Sequence, residues 1–177
     1  MAEGLGELVN YLLVAEYDND ESSNSIKSEL CKIIKGLCVH DDLRKDMSCA
    51  YENAKYFLTS EVVRPDGETI KTFKMLIKLS ENFKNQPYLA SCSLSAAKQL
   101  INSEEAVKSA VQHGAMDLPL QILSYPASTV SLIRSVAGLM RNLCADDLRK
   151  NKLVSDGSLN LLVNALSCEK TMADVKV

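Results

Sequence analysis

The sequence predicts an all-α chain built from repeated helical units, and three observations lead there. Apolar residues recur at spacings of three and four along nearly the whole chain, strand signals are thin, and one short phrase returns at a fixed interval. The apolar sets are Leu5, Leu8, Val9 and Leu12; Ile26, Leu30, Ile33, Ile34 and Leu37; Phe73, Leu76, Ile77 and Leu79; and Leu132, Val136, Leu139 and Leu143. Each is the pattern of a helix with one buried stripe.

Capping chemistry marks the boundaries. Asp41-Asp42, Ser103-Glu104-Glu105 and Asp146-Asp147 place oxygen acceptors and negative charge where a helix begins, beside its free amides and positive dipole end. Gly114 and Gly157 are breaks between helices. Pro87 and Pro126 belong at or just before a first turn, where a missing amide costs nothing. The stretches 17–24 and 61–67 cluster charge with Ser, Asn, Pro or Gly and read as loops.

The interval itself comes from the repeats. LCVHDDLRKD starts at Leu37 and LCADDLRKN at Leu143, with a weaker copy, LINSEEAVKSAV, starting at Leu100. Leu100 and Leu143 are 43 residues apart, and so are Gly114 and Gly157. Leu37 and Leu100 are 63 apart, and the excess of 20 predicts an inserted helix with its loop over 50–67. That helix, over 50–60 with Tyr51, Ala54 and Leu58 on its apolar face, is expected on the convex flank, before a second helix resumes near Glu68.

A period of 40–47 residues with three helices per unit characterises stacked helical repeats. Two segments, SLIRSVAGLMRNLCADD over 131–147 and LVSDGSLNLLVNALS over 153–167, resemble the armadillo-repeat family. The copy AVQHGAMDLPLQILS over 110–124 resembles it less closely, because Pro119 falls inside its second helix and would kink it. The resemblance covers about residues 36–167. It implies an armadillo-type right-handed α-α superhelix, a solenoid of three to four repeats with one helical insertion, divided near 1–39, 40–102, 103–145 and 146–177. Neither end reads as a polar cap, which implies a fragment of a longer array or self-association through uncapped end repeats.

In that family third helices line a concave groove. Importin-type members place a Trp four residues before an Asn on each of them; here the corresponding pairs are Gly138 with Asn142, Ser95 with Gln99, and Lys32 with Gly36, and the chain contains no Trp. Binding of a basic import signal is therefore not expected. The groove would instead present Lys32, Lys35, Ser95, Gln99, Arg134, Gly138, Arg141 and Asn142, a set suited to an extended, somewhat acidic peptide. The plain alternative for each residue is a solvated polar face.

Composition narrows the function classes. Twenty basic and 23 acidic residues leave a net charge of −3 with no dense basic block, so neither nucleic acid nor an anionic membrane is expected as partner. The start carries no basic region ahead of its short apolar run, and no stretch approaches 18 apolar residues, which predicts a cytoplasmic or nuclear protein. Its six cysteines, without a C-x-x-C pair, are then reduced thiols. His40 beside Asp41 and Asp42 reads as capping rather than a metal site, and His113 as a cation at a helix C-terminus. Cys31, Cys38, Cys92 and Cys144 fall on apolar faces, and the methionines recur singly as core filling. No G-x-S-x-G, phosphate loop or H-E-x-x-H occurs. The expectation is a non-enzymatic interaction scaffold without cofactor or metal; the alternative is a structural segment of a longer solenoid that binds elsewhere.

Overall fold

A computed structural model describes residues 21–38, 47–63 and 69–174, together with Glu7 and Asn10 as isolated helical positions. The stripe Leu5, Leu8, Val9 and Leu12, and the group His40, Asp41 and Asp42, lie outside the described residues, as do the side chains of Tyr51, Met47, Cys49, Cys168 and Met172. The described chain is all-α apart from one small hairpin. In order it contains α1 (Glu21–Cys38), α2 (Met47–Thr59), β1 (Glu61–Val63), β2 (Thr69–Lys71), α3 (Thr72–Glu81), α4 (Pro87–Leu100), α5 (Glu104–Gln112), α6 (Leu118–Leu123), α7 (Val130–Leu143), α8 (Asp147–Ser155) and α9 (Ser158–Asp174).

The centre of the packing is α4, which contacts α1 on one side, α7 on another and α3 behind. Its composition explains how one helix takes three neighbours. Ala90, Ser91, Ser93, Ala96 and Ala97 are all buried, and such short side chains let backbones approach closely where leucines would hold them apart. Ser91 and Ser95 of α4 meet Ser131 and Ser135 of α7 through hydroxyl contacts of 2.7–3.0 Å. Ser93 of α4 meets Ser80 of α3 at 3.1 Å. Larger apolar groups fill the remaining space: Phe57, Phe73, Met75, Leu76, Leu94, Leu100, Ile122 and Leu139 are fully buried.

The caps form as the sequence requires. Ser103 accepts from the Ala106 amide at 3.2 Å, Thr129 from Leu132 at 3.3 Å and Asp146 from Arg149 at 2.8 Å. Gly114 and Gly157 have φ of +82° and +85°, the left-handed conformation that ends α5 and α8. Pro87 is in the first turn of α4, whereas Pro126 is not at a first turn: it lies in a turn three residues before Thr129, the N-cap of α7.

Several local expectations are corrected. Pro119 does not kink α6, because that helix begins at Leu118 and the proline lies in its first turn, where no amide partner is lost. The loop expected over 17–24 gives way to helix at Glu21, whose acid suits a first turn. The helix expected over 50–60 is present as α2, packed on α1, α3 and α4 with Ala54 and Phe57 buried. The loop expected over 61–67, however, opens with β1, which pairs antiparallel with β2 in the register Glu61↔Lys71, Val62↔Ile70, Val63↔Thr69. The following helix consequently starts at Thr72 rather than near Glu68. Its base is clasped by Thr72 N–H to Ser60 O at 3.1 Å and by the two hydroxyls at 2.7 Å.

The stripe assigned to α1 is only partly used. Cys31, Ile34 and Cys38 are buried, whereas Ile26 and Ile33 are exposed. Among the described residues two helices separate α1 from α4, as two separate α4 from α7, so α2 is not the additional helix expected from the excess of 20 residues. The surplus length there falls partly into the hairpin and into longer helices, with 13 and 10 residues in α2 and α3 against 9 and 6 in α5 and α6.

Candidate functional site

The row α1, α4, α7 sets the geometry of the candidate site. Leu37, Leu100 and Leu143 stand at corresponding points near the C-terminal ends of these helices. Two residues before each stands a cation: Lys35, Lys98 and Arg141. They are electrostatically coupled. Lys98 is held below the ordinary lysine value first by burial, then by the charge of Arg141, then by that of Lys35. None of the three has an acidic partner among the described residues. Three like charges on adjacent helices repel one another, and an anion laid across them would relieve that repulsion.

The other expected groove residues separate into exposed and committed groups. Lys32 is exposed, pairs with Glu29 at 2.6 Å and lies 5.3 Å from the centre of the Tyr88 ring. Its ammonium is held above the usual lysine range, chiefly by Glu29 and next by Tyr88. Arg134 is exposed on α7 and Gln99 half-buried on α4. Ser95 is bonded to Ser135 at 3.0 Å. Asn142 is committed to the fold: its amide nitrogen donates to Lys98 O at 2.8 Å and to Ile101 O at 3.4 Å, closing carbonyls at the end of α4. The position beside Gly138 is filled by Lys98, since a Cβ there would lie 2.7 Å from its Cδ. Lys98, the middle cation of the row, was missed from sequence. Aligning on the asparagine of Asn142-Leu143 draws attention to Gln99, and the signal for Lys98 is one position earlier.

Burial favours the protonated form of the four described thiols. Burial pushes Cys38 up to about 12 and Cys31 higher still, and it also raises Cys92 and Cys144. A thiol held protonated is a poor nucleophile.

His113 does not act as the expected helix-end cation. It caps α5 through its backbone, its ring lies 6.3 Å from that of Phe73, and its proton affinity is lowered by burial first and then by Lys71 and Lys74. The unfolded chain therefore binds this proton more readily than the folded one. Its contribution to stability is present above the ordinary value of 6.5 and is lost as pH falls below it. Unfolding midpoints in denaturant are expected to drop on acidification from neutral pH, and His113→Gln should flatten that part of the profile. An unchanged slope in the variant would place the titration elsewhere.

Among the described residues no three His, Cys, Asp or Glu side chains converge as a metal site, and no helix is long and apolar enough to cross a membrane. No protein-family model, curated protein or solved structure matches the chain.

Proposed function

We propose that the chain is a run of armadillo-type repeats forming a right-handed superhelix, and that it serves as a non-enzymatic scaffold binding an extended acidic peptide across α1, α4 and α7. The observation that carries this reading is the register of Lys35, Lys98 and Arg141 on three consecutive packed helices. The 43-residue interval between Leu100 and Leu143 and the packing of α6 against α7 and α9 support the repeat. Adjacent packed helices stand about 8–10 Å apart, and an extended chain advances about 3.3 Å per residue. A peptide with an acid at every third residue would therefore meet one cation per helix.

The test is titration of such a peptide, labelled with a fluorophore, against the same peptide with amides in place of its acids. Arg141→Glu should weaken the acidic peptide by about 1–3 kcal/mol while leaving helicity and melting unchanged. Equal affinity for the two peptides, or no response to Arg141→Glu, would remove the groove from consideration. The second reading is a structural segment of a longer array that binds elsewhere. It is favoured by Asn142, whose amide is engaged within the fold, and it would stand if the peptide test fails.

A further inference from the structure

One face of the last unit is open where the preceding unit keeps the same face covered. A cavity of about 320 Å³ between α7, α8 and α9 is lined by Ala137, Met140, Cys144, Leu153, Val154 and Leu159, with the exposed cations Arg141 and Lys150 beside them. One 43-residue period earlier, these six apolar positions are Leu94, Ala97, Ile101, Ala110, Val111 and Met116. All but Val111 are buried there, and the helix lying across α4, α5 and α6 is α7. In the last unit no described helix takes that seat; Met140 and Leu153 are buried there all the same, while Val154 and Leu159 are 57% and 43% exposed.

The internal repeat also shows what kind of surface fills such a seat. In α7 the stripe Leu132, Val136, Leu139 and Leu143 is fully buried. Counted back from Leu37 as those are from Leu143, α1 carries Ile26, Leu30, Ile33 and Leu37. This is the same apolar pattern in the same register, yet Ile26 is 56% and Ile33 46% exposed. α1 thus presents a stripe on which Ile26 and Ile33 are exposed while Leu30 and Leu37 are half-buried against its own core, and α7, α8 and α9 present a partly open seat of matching pattern.

Charge agrees with the match at one pair, although the same register sets Lys35 beside Arg141 as Arg141 stands beside Lys98. Ser135, eight residues before Leu143, places its hydroxyl 3.0 Å from Ser91 and 3.0 Å from Ser95. In α1 the residue eight before Leu37 is Glu29, and one period beyond Ser91 stands Arg134. Both are exposed. An α1 seated on α7 in the register that α7 takes on α4 would bring the Glu29 carboxylate to the Arg134 guanidinium.

We propose that α1 of a second copy occupies the seat formed by α7, α8 and α9, so that chains associate head to tail and continue the row of helices across the junction. The contact is heterologous and does not close on itself at two subunits, so it propagates. It rests on the repeat register used for the proposed function but not on its peptide ligand. Lys98→Gln, which should lower peptide affinity, is expected to leave association unchanged.

Sedimentation of the full chain from micromolar to submillimolar concentration tests this. The average mass is expected to rise progressively past that of a dimer. Ile33→Glu blocks the stripe and Leu159→Glu blocks the seat, and both positions are exposed enough for the fold to be retained, as circular dichroism would verify. Each variant alone should associate at least about tenfold more weakly. Mixed together they should form a 1:1 dimer and stop, because the seat of the first accepts the stripe of the second. Glu29→Arg and Arg134→Glu should each weaken association, and mixing these two variants should restore a junction between the reversed charges. A monomer at every concentration, or mixtures that behave as the sum of their separate components, would overturn the proposal.

Discussion

Leu139→Ala is expected to lower the stability of the protein by about 2–5 kcal/mol, read from the shift of its urea unfolding midpoint. Leu139 is fully buried in the middle of the stripe that seats α7 on α4. Truncation removes both its transfer energy and the contacts of the groups left around the void. The control is the corresponding position one end of the row away. Ile33 has the same register on α1 but is 46% exposed, so Ile33→Ala should cost less than about 1 kcal/mol in dilute solution. Similar losses at both positions would contradict the distinction between a filled and an open stripe.

Asn142→Ala is expected to cost about 1–3 kcal/mol, because it removes the side-chain amide that serves two carbonyl groups at the end of α4 and leaves Lys98 O with only the 3.3 Å bond from the Ile101 N–H. Those acceptors are Lys98 O and Ile101 O, on the segment where the chain turns from α4 into α5. The loss should appear in melting with no peptide present. A variant that melts like the wild type would free Asn142 for a ligand and return it to the groove. Arg141 is its contrast: the neighbouring side chain is exposed, and its replacement should register in binding rather than in stability.

Where the fold could be read from the sequence, the information was local. Ser103, Asp146, Gly114 and Gly157 each perform a task that a single residue type suits, so the ends of α5 and α8 were legible before any packing was known. The correspondence of α4 and α7 followed from Leu100 and Leu143, because a period needs only two landmarks. The hairpin was harder. Its strands have three residues each, too few for alternation to show, although Val62-Val63 and Thr69-Ile70 flank the turn sequence Pro65-Asp66-Gly67, a recognisable signal.

The candidate site was legible as a charge pattern and illegible as a division of labour. Lys35 and Arg141 were identified because both are cations on repeated helices. The sequence presents Asn142 as a ligand group because nothing in its neighbourhood reveals that Lys98 O lies within its reach, a contact between residues 44 positions apart. Ile26 and Ile33 show the same limit from the other direction. Their spacing specifies an apolar face, but only the arrangement of neighbours determines whether that face is covered.

The hydroxyls between α4 and α7 give this joint a mechanical character. Ser135 Oγ lies within 3.0–3.2 Å of four oxygens: the Ser91 and Ser95 hydroxyls and the carbonyls of Ser91 and Ser131. A hydroxyl proton rotates to whichever acceptor is nearest, so a small slide of one helix past the other exchanges partners instead of breaking a bond. Interlocked leucines offer no comparable freedom, since each must climb over the ridge beside it. At the far end of the same joint, Asn142 fastens α7 to the last turn of α4. Fastened at one end and supplied with exchangeable acceptors along its length, this contact can absorb a small slide of α7 on α4 without the net loss of a hydrogen bond.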